Sequence, residues 1–333
     1  MKKIIIRLAF VFMLLLSFFM MDRVLKIKSE HGIDQKEGIY VQPPNSIDVV
    51  FMGTSHVHCG INTALLWEEY GISAYDYSGA EQPLWMTYYY LKELLKYQKP
   101  ELVVVDLYAP ARFKEDYQYV WIEENLYGMK FSLNKLEMMS VSIEANKFFD
   151  YFPDFATYHS RYDELKTDDF RYALKDEEEL AVFKGYTPYM NRIELKKPEV
   201  FTEERSGLTS KSEKYLKKII EYASENNVKL ALIVIPYYIT EEDKKTYNQI
   251  MDIAEENNVL FVDYNEFYDE IGLDFSCDLN DESHLNYWGS SKFSKYIGDI
   301  FSKEGFIDRR KEKGYESWNE NVKLIKEYVR QYE

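Results

Sequence analysis

Five short apolar runs, separated by stretches of helical periodicity, constrain this chain more than anything else in it. They read DVVFMG at 48–53, SAYDY at 73–77, LVVVDLY at 102–108, KLALIVIP at 229–236 and VLFVDY at 259–264. Runs this short suit strands buried on both faces. Between them, Asn62 stands as N-cap for TALLWEEY with Gly71 at its C′ position, and 82–97 carries Pro83 in its first turn and stops at Lys99-Pro100. Helical spacing returns at 212–226 and 241–257. This alternation predicts a three-layer α/β/α domain around a mainly parallel five-stranded sheet. Ligands on such sheets bind beyond the carboxyl ends of the strands, so the loops following these runs are where function is sought.

The alternation lapses between 111 and 210, a stretch rich in Tyr, Phe and acid with helical pattern near 133–149 and 162–182. It reads as a mostly helical insertion folding over the sheet edge. The two halves of the α/β domain are then 29–110 and 211–305, with a helical extension over 306–333. Residues 4–21, IIIRLAFVFMLLLSFFMM, approach the ~20 apolar residues needed to cross a bilayer, so 1–28 reads as a membrane anchor. Lys2, Lys3 and Arg7 lie at its start and favour a cytoplasmic N-terminus with the bulk of the chain extracytoplasmic. No A-x-A-like cleavage site follows, which favours a retained single-pass anchor over a removed signal peptide.

The chain has a formal net charge of −16, and its first 28 residues hold six Lys or Arg against one Asp, so the remainder carries −21. Such a domain repels nucleic acid and anionic lipid, and a neutral or zwitterionic substrate fits it better. Two cysteines exclude a disulfide-built scaffold. With 46% hydrophobic residues the chain can close a substantial core.

Gly53-Thr54-Ser55-His56 follows the first run directly, which puts the Ser55 hydroxyl at the carboxyl edge of the sheet. A bland reading of the same residues is a strand-to-helix turn with a capping Ser or Thr. Near the other end stands Asp281-Glu282-Ser283-His284-Leu285-Asn286-Tyr287-Trp288-Gly289, ahead of an amphipathic run at 290–301. The D-x-x-H spacing lets a carboxylate fold back on one imidazole nitrogen while the other faces a nucleophile.

Together these stretches resemble the SGNH/GDSL hydrolase superfamily, whose last block reads D-x-x-H-L-N-x-x-G. The resemblance implies an SGNH/flavodoxin-like sheet with Ser55 as nucleophile, His284 as general base and acid, and Asp281 as its orienter, with no cofactor. It also implies oxyanion donors at the Ser55 amide and at Gly79, in Ser78-Gly79 after the second run. The chain departs from the family in having Thr54 where GDSL proteins carry Asp. It also has Asp106-Leu107-Tyr108-Ala109 where the third block supplies an Asn, so the third oxyanion donor is absent or replaced. The chain is most similar to membrane-tethered members such as the D-alanine transfer protein of teichoic acid D-alanylation and relatives that acetylate exopolysaccharides. That similarity implies acylated carbohydrate or an acyl donor as substrate and a multipass membrane O-acyltransferase as partner.

The expected activity is therefore serine-dependent acyl transfer or ester hydrolysis. The rival is an inactive glycan-binding or scaffold subunit on the same fold. His56, His58 and Cys59 lack a second ligand pair for a metal, and substrate shaping or loop packing suits His56 better. Arg161 is a candidate for a substrate carboxylate or phosphate, or else a solvated side chain. Tyr117, Tyr119, Trp121, Tyr186 and Tyr189 are candidates for stacking on sugar rings. If the triad forms, Cys59 and Cys277 approach each other, which predicts a disulfide.

Overall fold

A computed structural model describes residues 2–29, 31–154, 158–173 and 183–332. The five apolar runs form β1 (Val49–Gly53), β2 (Ala74–Ser78), β3 (Leu102–Asp106), β4 (Lys229–Val234) and β5 (Leu260–Asp263). They make one all-parallel sheet in the order β2-β1-β3-β4-β5. β1, β2 and the last four residues of β3 are fully buried, as strands covered on both faces require.

Helices Leu84–Leu94 and Ser210–Glu225 pack together on one side, and Thr63–Tyr70 packs with Tyr287–Lys303 on the other. Asn62 caps the Thr63–Tyr70 helix through Leu65 N–H, and Gly71 closes it at φ 71°. The final helix, Glu316–Val329, lies against Thr63–Tyr70 and buries Trp318.

Among its described residues, the 111–210 stretch holds a short helix at Ile122–Leu126. Leu133–Ser142 is a helix and Phe148–Asp150 a 3-10 turn; further on, His159–Asp163 is 3-10 and Thr167–Ala173 helical. The remainder of the expected 162–182 helix, 174–182, lies outside the described residues. From 183 to 209 the chain runs without helix and laces the sheet domain together. Lys184 O accepts the Asp76 N–H of edge strand β2 (2.9 Å), Thr187 N–H donates to His58 O (2.6 Å), and Ile193 bridges Leu279. These bonds follow from the backbone's need for partners, which no side-chain periodicity records.

One N-terminal helix, Lys2–Leu25, is long and apolar enough to cross a membrane, and its apolar stretch is wholly exposed. Beyond it the short helix Ile33–Glu37 returns to the sheet domain and buries Ile33, Gln35 and Lys36.

Candidate active site

Ser55 opens the Ser55–Gly60 helix directly after β1. The turn is made by Gly53, whose φ of 150° suits glycine and whose added Cβ would press on the Asp106 backbone and side chain. The capping role falls to Thr54, whose Oγ1 accepts the His56 N–H at 3.2 Å. Ser55 is thereby left free, and its Oγ lies 2.7 Å from His284 Nε2 across 229 positions of sequence.

His284 stands on a loop that folds by its own polar residues. Leu279 and Leu285 form an antiparallel bridge that pinches the loop. Asn286 then secures its base, accepting the N–H groups of Trp288 and Gly289 and donating to the carbonyls of Asn191 and Cys277 at 3.0 and 2.8 Å. Asp281 accepts from His284 Nδ1 at 2.9 Å through Oδ1, and the same oxygen takes the Ser283 and His284 N–H groups. An ionised carboxylate only accepts, so Nδ1 carries the proton and Nε2 is the acceptor facing Ser55. Burial alone would raise the Asp281 carboxyl, but the bond and charge of His284, helped by Asn280 and the Ser283 amide, bring it to about 2.

The serine and imidazole open into a cleft of about 220 Å³ whose walls include Tyr108, Phe113, Trp121 and Tyr189. Its ring edges are close set: Tyr189 meets His284 edge-on at 5.6 Å, and His31 meets Trp121 and Tyr189 at 5.7 and 6.1 Å. His31 comes from the segment just after the apolar helix, and sequence reasoning missed it because nothing local marks it. Tyr108 was also missed as a site residue, although it stands where the third-block Asn was expected. It lines the cleft and donates its hydroxyl to Ser283 Oγ at 3.1 Å.

Several expected site residues are placed elsewhere. The Gly79 amide already donates to Gly53 O at 3.2 Å, continuing the β1–β2 pairing, so it is not a free oxyanion donor here; its neighbour Ala80 is likewise engaged, donating to His31 O at 2.6 Å. Glycine at 79 serves another purpose: a Cβ there would collide with Lys36 Nζ and Asn125 Oδ1. Buried Lys36 donates to Asn125 Oδ1 at 2.8 Å, and Asn125 Nδ2 donates to Ala80 O at 2.7 Å, so the two brace the back of the 79–81 loop. His56 lies behind the cleft, stacked on Tyr108 at 3.6 Å and buried, which is the packing role and not substrate contact. Burial, then the charges of nearby His284 and Arg112, hold it neutral, well below the ordinary histidine range.

Arg161 does not line the cleft. It donates to Leu25 O and Lys26 O at 2.7 and 2.6 Å, holding the end of the apolar helix. Of the aromatic candidates, Trp121 and Tyr189 line the cleft, whereas Tyr186 is buried against Ser290, and Tyr117 and Tyr119 stack on each other outside the cleft lining. The expected disulfide is absent: Cys59 and Cys277 are free thiols, Cys59 buried in the Ser55–Gly60 helix and Cys277 on the loop below. Among the described residues no group of three or more His, Cys, Asp or Glu is arranged to hold a metal.

No family model and no curated protein matches this chain. Solved structures similar to it include a Bacteroides fragilis protein assigned as an acylhydrolase (12% identity, TM-score 0.41, covering 81% of this chain and 94% of that one). Another is a Desulfitobacterium hafniense protein assigned to the lipolytic G-D-S-L family (12%, TM-score 0.37, 76% and 98%). A third is an acetylxylan esterase of Geobacillus stearothermophilus (15%, TM-score 0.36, 81% and 100%). Likeness this distant does not define a family, and the functional reading rests on the residues of the cleft.

Proposed function

We propose that this protein is a serine-dependent acyl-ester enzyme acting on carbohydrate outside the cell membrane. The observation that carries the reading is the continuous relay Ser55 Oγ, His284 Nε2 and Nδ1, Asp281 Oδ1, with links of 2.7 and 2.9 Å, opening into an aromatic cleft at the carboxyl edge of the sheet. His284 takes the Ser55 proton as the oxygen attacks an ester or thioester carbonyl. The same proton then goes to the departing alcohol or thiol, leaving an acyl-serine. A sugar hydroxyl or water, deprotonated by His284, attacks that acyl group and returns the serine. The aromatic walls suit a sugar ring, and the apolar N-terminal helix supports tethering at an envelope where acylated polymers are met. The Ser55 N–H is the backbone group best suited to hold the developing oxyanion, and the Tyr108 hydroxyl, which unlike a backbone amide can rotate from Ser283 Oγ toward the cleft, is the side-chain donor beside it.

One observation favours the rival reading of a catalytically weak scaffold or glycan-binding subunit for a membrane O-acyltransferase. The Gly79 and Ala80 amides are both engaged, which leaves the oxyanion site short of backbone donors. A fluorophosphonate probe separates the two. Covalent labelling of the full chain, abolished in Ser55→Ala with an unchanged melting temperature, is the expected outcome; no labelling of the unaltered protein excludes the enzyme.

A further inference from the structure

The 111–210 stretch exposes a run of large apolar side chains that the cleft does not use. Leu133 and Phe149 are each 79% exposed and Phe131 70%. The rings are continuous, with Phe131 on Phe152 at 6.1 Å, Phe152 on Phe148 at 5.7 Å and Phe148 on Phe149 at 5.6 Å. Exposed apolar clusters of this kind mark surfaces that meet lipid or protein.

The patch has a definite height relative to the N-terminal helix. Leu133 shares its helical turn with Lys135, which pairs with Asp154, two positions beyond Phe152. Lys135 and Asp154 are in turn electrostatic neighbours of Asp22 and Lys26. Asp22 and Arg23 are the first charges after the apolar stretch, so they lie where a spanning helix leaves hydrocarbon. At the same helix end, Arg161 holds the Leu25 and Lys26 carbonyls, and Lys28 donates to Val24 O (2.6 Å) and to Asp169 (2.9 Å). There Tyr162 and Phe170, neighbours of Arg161 and Asp169, are also exposed.

We propose that Phe131, Leu133 and Phe149, with Tyr162 and Phe170 beside the helix end, seat in the interface of the bilayer as a second point of membrane contact. Resting on the reading of Lys2–Leu25 as a spanning helix, this goes further, because a spanning helix alone leaves the domain free to tilt. Lipid is the occupant that fits, since the patch is level with the helix exit, and aromatic side chains settle at that depth. The remainder of the domain is acidic, so attachment comes from apolar burial and not from charge. His31 lines the cleft only six residues beyond Leu25, at most roughly 22 Å of extended chain, so a domain seated this way holds its cleft near the membrane surface.

The test uses the full chain in phosphatidylcholine vesicles, with Cys277→Ser and single nitroxide-labelled cysteines at Leu133→Cys, Phe149→Cys, Phe12→Cys and Phe201→Cys. Paramagnetic collision rates with oxygen and with a water-soluble nickel chelate report depth. The expected result is an oxygen-to-nickel ratio at 133 and 149 several-fold above that at 201 and approaching that at 12. Water-like ratios at 133 and 149 with a lipid-like ratio at 12 overturn the docking surface alone. A water-like ratio at 12 overturns the spanning helix and the docking surface with it.

Discussion

At the scale of single residues, the site depends on how few polar groups remain uncommitted. Thr54 caps the first helical turn so that Ser55 does not, and Asp281 accepts three donors through one oxygen so that His284 can turn its free nitrogen on the serine. With Gly79 and Ala80 engaged by backbone carbonyls, Tyr108 takes on importance. Tyr108→Phe keeps the ring that stacks on His56 and removes the hydroxyl. It is expected to lower the turnover number for p-nitrophenyl acetate by ~10²–10³-fold, the usual effect of losing one oxyanion donor, with the fold intact. Unchanged turnover would show that the hydroxyl serves only Ser283. The D-x-x-H-L-N spacing made Asp281 and His284 legible because the bonds that join them span three residues. His31 was not legible, because its place in the cleft comes from a return of the chain after the N-terminal helix.

At the scale of elements, the carboxyl ends of β3 and β4 are stapled by one side chain. Fully buried Asp106 accepts the Ile235 N–H at 3.0 Å and the Tyr108 N–H at 3.3 Å, beside the loop that carries the cleft tyrosine. Burial pushes its carboxyl up to about 7, against the pull of those two amides. Between the ordinary aspartate value and 7, the folded protein keeps a proton that the unfolded chain has released. Asp106 therefore stabilises most below pH 4 and loses that advantage as the pH rises toward 7, by at most roughly 4 kcal/mol. The gap in melting temperature between the unaltered protein and Asp106→Asn should be widest near pH 4 and narrow by pH 8; a constant gap would mean Asp106 is ionised throughout. The strands themselves were readable from sequence, because continuous burial demands continuous apolarity. The turns at their ends were less so, since Lys184 O or Gly53 O finds its partner only when distant segments meet.

At the scale of the whole molecule, the chain from Leu25 to Tyr40 joins a wholly exposed apolar helix to the sheet domain. Ile33 and Ile39 are fully buried and Lys36 sits behind the 79–81 loop, so this segment belongs to the domain core. Deleting residues 2–21 is expected to leave the melting temperature unchanged. Deleting residues 2–40 is expected to lower it sharply, since each buried Ile contributes about 2–5 kcal/mol, and to abolish fluorophosphonate labelling through loss of His31 and the Lys36 brace. Equal stability of the two truncations would show that the segment is peripheral. The sequence by itself determined the parallel sheet, the apolar N-terminal helix and the local pairing of Asp281 with His284, because each rests on periodicity or on contacts within a few residues. Tertiary structure alone decided that Ser55 and His284 meet, that Gly79 is engaged, that Arg161 grips the N-terminal helix and that both thiols stay free. These are contacts between segments tens to hundreds of residues apart, and no local pattern encodes which of many satisfied arrangements the packed core will select.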